Sequence, residues 1–292
     1  MTDTAELFID SRCELGEGPM WHPGLQQLFW FDILNKTLFA ATPDGHIRDR
    51  FIFKDYASAA GVLDNDTIVV ASSYGMLRLE LETDEITVLA PIEPDKPGNR
   101  TNDGRVHPSG TFWIGTMSRA GGPRGQGSVY LYREGKTEKL FGDITVPNST
   151  CFSPDGRTGY FVDGPTRIIK KVALDPETGK PIGEWEPFVD ANGHRGGPDG
   201  SVIDAEGYMW NARWGGSCVV RHAPDGSVDR IVEVPALQTS CPCFGGKDLR
   251  TLYITTAREH MTPAQLEQYP LSGSVFAIDV DVPGQPEPKV AI

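Results

Sequence analysis

Short apolar runs, many alternating or β-branched, recur along the whole chain between closely spaced glycines and prolines, as in Leu28-Phe29-Trp30-Phe31 and Thr111-Phe112-Trp113-Ile114. Runs of this kind bounded by turn residues predict β-strands. Helix signals gather only at residues 262–268, where Thr262 is placed to cap and Pro263 to occupy the first turn.

The strand pattern is periodic. Similar segments align on Trp30, Val69, Trp113, Tyr160, Trp210 and Tyr253, at spacings of 39, 44, 47, 50 and 43 residues. One strand precedes each centre and a hairpin-like pair follows it, which makes about four strands per unit of roughly 40–50 residues, the blade of a β-propeller. The chain is therefore expected to be all-β, a six-bladed β-propeller with four-stranded blades. A β-sandwich would not show registered copies over the whole length, and a β-helix has a much shorter repeat. The sixth copy runs to the end of the sequence, so residues 6–10 are expected to supply its outer strand, closing the ring and covering an exposed edge. No linker or charge block interrupts the pattern, and residues 1–292 are expected to form a single domain.

Composition narrows the functional classes. Of 292 residues 39% are hydrophobic, enough to fill a large core, and 27 Lys and Arg against 40 Asp and Glu leave a net charge of −13. There is no basic run of the kind that holds a phosphate backbone, so no nucleic-acid partner is expected. The N-terminal residues lack a basic, apolar leader, and no segment approaches the roughly 18 apolar residues needed to cross a bilayer. A soluble cytoplasmic protein without a membrane partner is expected, as a monomer or weak homo-oligomer. Cys13, Cys151, Cys218, Cys241 and Cys243 form an odd set without a CxxC pair, which fits reduced thiols. Cys241 and Cys243 are spaced too closely for the usual zinc pair.

Candidate chemistry follows from the repeat. Residues that lead into the innermost strand, about a dozen before each aromatic centre, should meet around the axis at one mouth of a propeller. That register selects Glu17, Arg100, Asn102, Asn148 and Asp199, while the remaining two copies place Ala57-Ser58 and Cys241 there. Two carboxylates and an amide oxygen suit one divalent metal ion such as Ca²⁺, Mg²⁺ or Mn²⁺, with Zn²⁺ also open. Pro-Asp-Gly occurs four times, yet only Pro198-Asp199-Gly200 precedes an inner strand; the others read as turns. Asn148-Ser149-Thr150 also spells a glycosylation sequon, which has no role without a leader peptide. No nucleophile elbow, HExxH zinc helix or P-loop is present. The Gly-rich run 121–127 reads as a mobile loop at the mouth, His22 and His107 as structural turn residues, and Trp214 either as a sugar-stacking face or as packing.

Several motifs resemble the regucalcin/gluconolactonase (senescence marker protein-like) family of six-bladed propellers. They are Leu15-Gly16-Glu17-Gly18-Pro19-Met20-Trp21, Asn99-Arg100-Thr101-Asn102-Asp103-Gly104, Gly115-Thr116-Met117, Pro147-Asn148-Ser149, Pro198-Asp199-Gly200 and Cys243-Phe244-Gly245-Gly246. Within the family, Ala212-Arg213-Trp214-Gly215-Gly216, Thr255-Thr256-Ala257-Arg258 and Gly273-Ser274-Val275-Phe276-Ala277 are most similar to bacterial sugar-acid lactonases such as xylonolactonase. The resemblance implies a divalent metal held by Glu17, Asn148 and Asp199, with Arg100 and Asn102 directed at substrate hydroxyls. It further implies a hydrolase that opens an aldonolactone, pentono- or hexonolactone, with the metal polarising the carbonyl while water attacks. Asp199 is the expected general base. Where some family members carry a substrate-contacting acid after Gly-Thr-Met, this chain has Ser118-Arg119, with Arg124 nearby. An arginine there pairs with a carboxylate, so Arg119 is a candidate substrate contact for an aldarolactone (galactaro- or glucarolactone). A noncatalytic divalent-metal-binding propeller and a phosphotriesterase-like hydrolase remain as alternatives.

Overall fold

The computed structural model describes residues 3–119 and 122–292. Their strands form six sheets, each built outward from an inner strand in sequence order. The inner strands are Gly16–His22, Ala57–Val62, Asn99–Val106, Pro147–Phe152, Gly197–Ile203 and Gln238–Gly245. Each packs against the next, and the last against the first, so the ring is closed. The molecule is a six-bladed β-propeller, and its repeat is the one predicted.

The aromatic centres fall in the second strand of each blade. Trp30, Val69, Trp113, Tyr160, Trp210 and Tyr253 are all buried, because neighbouring blades cover both faces of each sheet and demand near-continuous apolar runs. Rings also join the seams between blades. Trp113 meets Phe152 edge-on at 5.4 Å, Trp210 meets Phe244 at 6.0 Å, and Trp21 stacks on Tyr253 at 5.8 Å where the last blade meets the first. His22 and His107 are structural, as expected: their Nε2 atoms reach the carbonyls of Asp64 and Gly156 in the next blade, at 2.9 and 2.8 Å. All five cysteines are buried and unpaired.

The N-terminal strand closes the sixth blade as anticipated: Glu6–Ile9 pairs antiparallel with Val275–Asp279, setting Leu7 opposite Phe276. Beyond the four-stranded expectation, Asp3–Thr4 adds a fifth, parallel strand to the outer edge of the fifth blade, against Val228–Glu233. The helix is Pro263–Gln268, with a capping box in which Thr262 Oγ1 accepts from Gln265 N–H and Gln265 Oε1 accepts from Thr262 N–H. Among the described residues no helix is long and apolar enough to cross a membrane.

Residues 283–291 cross the far ends of the inner strands. Ala205 N–H donates to Pro283 O at 2.9 Å, Gln285 Nε2 donates to Ile203 O at 3.0 Å, and Val290 N–H donates to Val62 O at 2.8 Å. Glu287 turns inward to Arg105, at 3.3 Å. This segment covers one end of the axial channel. The beginnings of the inner strands surround the other.

Candidate active site

At the uncovered end every inner strand loses register against its second strand. The shifts fall between Glu17 and Met20, Ala57 and Ala59, Thr101 and Gly104, Asn148 and Cys151, Pro198 and Ser201, and Thr239 and Cys241. A β-bulge bends a strand and re-aims its side chains, and these bulges coincide with the ring of positions selected from the sequence. Glu17, Arg100, Asn102, Asn148 and Asp199 all line one cavity of about 680 Å³.

Local sequence makes the bulges possible. Gly18 has φ +52°, and a Cβ there would stand 2.1 Å from the Ser58 carbonyl oxygen, so a glycine is required beside Glu17. Ser149 adopts φ +58° despite its side chain, and its Oγ donates to Asp199 O at 2.6 Å. That bond ties the bulge of the fourth blade to that of the fifth.

A short relay orients the amides. Arg100 Nη1 donates to Asn102 Oδ1 at 2.7 Å, and Asn102 Nδ2 donates to Asn148 Oδ1 at 2.8 Å and to Pro147 O at 2.9 Å. Asn148 Oδ1 keeps a second lone pair for another partner. Among the described residues, Glu17 Oε2 accepts only the adjacent Gly18 N–H, at 2.9 Å.

The electrostatics are unbalanced toward negative charge. Burial pushes the Glu17 carboxyl up to about 8, Asp103 adds repulsion, and the Gly18 N–H and Arg100 offset only part of this. The Asp199 carboxyl is pushed well above the ordinary range by burial and then by Glu17 and Asp103. Among the described residues no Lys, Arg or His nitrogen lies within 4.0 Å of either carboxylate. Asp103 sits beside them, buried, accepting the Thr150 N–H at 2.7 Å.

Two carboxylates and an amide oxygen are the hard donors that Ca²⁺, Mg²⁺ and Mn²⁺ take. Among the described residues no group of three or more His, Cys, Asp or Glu side chains is arranged to hold an ion, so a set built on Glu17 and Asp199 needs other oxygen donors, of which the Asn148 amide is one in the same cavity. The donors fit a cation on a further ground: both carboxylates are destabilised as anions, and a cation between them would relieve that cost.

Arg119 lines the same cavity but is already engaged. Its Nη2 pairs with Asp55 at 2.5 Å, its Nε donates to Asn99 O at 3.1 Å, and its guanidinium lies 4.9 Å from the Tyr56 ring centroid. Arg124 is exposed on the rim. Of the Gly-rich run, Gly121 lies outside the described residues, whereas Gly122 and Pro123 line the cavity. Trp214 lines the cavity and also packs on the core of the first two blades, which bears out the packing reading of it.

Tyr56, Glu259 and His260 line the cavity too, and the repeat register did not select them. Tyr56 stands immediately before the Ala57-Ser58 pair that the register did pick out. Glu259 and His260 lie on the connection between Thr251–Ala257 and Val275–Asp279, which also carries the helix Pro263–Gln268.

Comparison with known proteins bears on this geometry. The family described as "SMP-30/Gluconolactonase/LRE-like region" matches residues 15–258. The chain belongs to that family. A solved structure of regucalcin from Agrobacterium tumefaciens str. C58, described as a calcium-binding protein, is 41% identical over 100% of both chains with a TM-score of 0.96. The 6-deoxy-6-sulfogluconolactonase of Pseudomonas putida is 35% identical over 100% of both chains. The L-arabinolactonase of Azospirillum brasilense is 34% identical over 93% of this chain and 90% of its own. The SMP-30/gluconolactonase match contains Glu17, Arg100, Asn102, Arg119, Asn148 and Asp199, and it stops one residue before Glu259.

Proposed function

We propose that this protein opens the lactone ring of a sugar acid by hydrolysis, with one divalent metal ion held by Glu17, Asn148 and Asp199, and that its six blades act as a single domain. The observation that carries the reading is a pair of buried carboxylates lining one cavity, with no basic nitrogen within 4.0 Å of them among the described residues, together with a fixed amide oxygen and a buried arginine. The lactonases named among the relatives support it.

When bound, the ion supplies Lewis-acid polarisation of the lactone carbonyl and charge for the oxyanion that develops there. The chain's own residues do the rest. Asp199 accepts the proton of the attacking water. The water oxygen forms the new bond to the carbonyl carbon, the ring C–O bond breaks, and the leaving oxygen takes the proton that Asp199 accepted, becoming a hydroxyl of the open acid and returning Asp199 to its carboxylate form. Glu17 anchors the ion and contributes no proton. Arg100, locked to Asn102 Oδ1 at 2.7 Å, keeps further guanidinium N–H donors for substrate oxygens, while Asn102 spends both of its N–H donors on Pro147 O and Asn148 Oδ1 and so fixes the amide beside the ion.

The pairing of Arg119 with Asp55 favours a neutral polyhydroxy lactone over one bearing a distal carboxylate, because the guanidinium charge is already compensated. The test is proton release from fresh pentono-, hexono- and aldarolactones by metal-stripped protein, before and after adding back Ca²⁺, Mg²⁺, Mn²⁺ or Zn²⁺. Metal-restored turnover on an aldonolactone is expected; rates equal to spontaneous opening with every ion would overturn the reading.

A further inference from the structure

Glu259 sits between Thr251–Ala257 and the helix Pro263–Gln268. Its backbone N–H and that of Arg258 both donate to Glu14 O, at 2.8 and 3.0 Å, which ties the loop to the chain just ahead of Glu17. The side chain is only 18% exposed and faces the cavity with Arg100. Among the described residues the one basic nitrogen near its carboxylate is His260 Nε2 at 3.6 Å, too long for a hydrogen bond. Arg100 likewise lacks an ionic partner: it is 7% exposed, its Nη1 donates to Asn102 Oδ1 and Thr101 O, and among the described residues no carboxylate oxygen lies within 4.0 Å of its guanidinium. Burial disfavours the Arg100 cation, and Glu259 is the strongest charge opposing that effect.

Two opposite charges, both mostly withdrawn from water, therefore line one cavity without forming an ion pair. A hydroxyl donates one hydrogen bond and accepts others. Seated between them, it accepts from Arg100 and donates to Glu259, satisfying both with charge-assisted bonds. An anionic substituent there would be repelled by Glu259, and an ammonium by Arg100.

We propose that Glu259 is a specificity-determining residue that, with Arg100, holds one substrate hydroxyl remote from the reacting carbonyl. This rests on the sugar-lactone reading above, and it places the selection for polyhydroxy substrates on the connection between Thr251–Ala257 and Val275–Asp279.

The experiment compares wild type with Glu259→Gln, a same-sized change on a surface loop whose folding is checked by melting temperature. Binding of D-glucitol, which cannot be hydrolysed, is measured by calorimetry in saturating Ca²⁺, alongside KM and kcat on an aldonolactone. Glu259→Gln should weaken D-glucitol about tenfold and raise KM similarly, with kcat changed less than about threefold. On the deoxylactone that lacks the contacted hydroxyl, the two proteins should coincide. Equal D-glucitol affinity and equal KM in both proteins would overturn the assignment of Glu259 alone. A wild type that neither binds D-glucitol nor opens any lactone would instead overturn the sugar-lactone reading, and this inference with it.

Discussion

At the covered end of the channel Glu287 lies 3.3 Å from Arg105, and residues 283–291 cross over the pair. At the uncovered end Glu17 and Asp199 are equally buried, yet among the described residues no basic nitrogen stands within 4.0 Å of either. The contrast extends to other acids of the molecule. Asp204, fully buried, is held by Arg221 at 2.7 Å and by Trp210 Nε1 at 2.9 Å. Burying a charge is costly unless it is paired and hydrogen-bonded. Where the fold needs a buried acid it therefore supplies the partner. Where it leaves two acids unpaired over a cavity, burial pushes both toward the protonated form, and strongly perturbed acids in a cleft make that cleft a candidate functional site.

The largest break in this contrast is expected from Asp199→Asn, which removes both an anionic donor and the proton acceptor. Lactone turnover at saturating metal should fall by about 10³-fold with the fold retained, as read by proton release and circular dichroism. The matching change at the covered end, Glu287→Ala, strands a buried arginine and should cost about 3–5 kcal/mol in denaturant unfolding. Its divalent-ion affinity should stay within about threefold of wild type, because the two sites share no direct partner. If Glu287→Ala removed ion binding while leaving stability intact, the assignment of roles to the two ends would be reversed.

A pH experiment sharpens the comparison. The Glu17 carboxyl is raised from its ordinary 4.5 to about 8, chiefly by burial. The folded protein thus binds a proton more tightly than the unfolded chain, and that contribution is complete below about 4.5 and lost as the pH rises through about 8. The metal-free protein should lose melting temperature across this window, and saturating divalent ion should flatten the slope by stabilising the carboxylate. Ion affinity should rise over the same window as the competing proton leaves. A metal-free melting curve that is flat from pH 5 to 8 would contradict the proposed burial of an unpaired acid.

The smallest effect is expected from Arg119→Ala. With its guanidinium already paired to Asp55, its loss should change the ratio of aldarolactone to aldonolactone rates by less than about threefold. A tenfold collapse confined to aldarolactones would restore Arg119 as a contact for a distal carboxylate.

The blades were legible because each copy places a large or β-branched side chain at the same buried point, and burial on both faces leaves little freedom in that choice. Glu17, Arg100, Asn102, Asn148 and Asp199 were legible for a related reason: equivalent positions of a ring converge on its axis. Their immediate geometry was not. The bulges break the period of two, and only neighbours such as Gly18 and Gly200 hint at them. Nor does a local pattern reveal partners far apart in the chain. Arg119 and Asp55 are 64 residues apart, and Arg105 and Glu287 are 182 apart. Glu259 escaped the register because it follows the second strand of its blade, whereas the register selects residues leading into the inner strand.

The account's central claim is that the uncovered end of the channel is left short of positive charge so that it can take a divalent ion. The most direct test is calorimetric titration of the metal-stripped protein with Ca²⁺ at pH 8, for wild type and Asp199→Asn, with lactone opening followed in the same samples. The account predicts one ion per wild-type chain, turnover that rises in step with occupancy, and affinity weakened at least about 100-fold in Asp199→Asn. Equal Ca²⁺ affinity in the two proteins, or full lactone turnover before any ion is added, would contradict it.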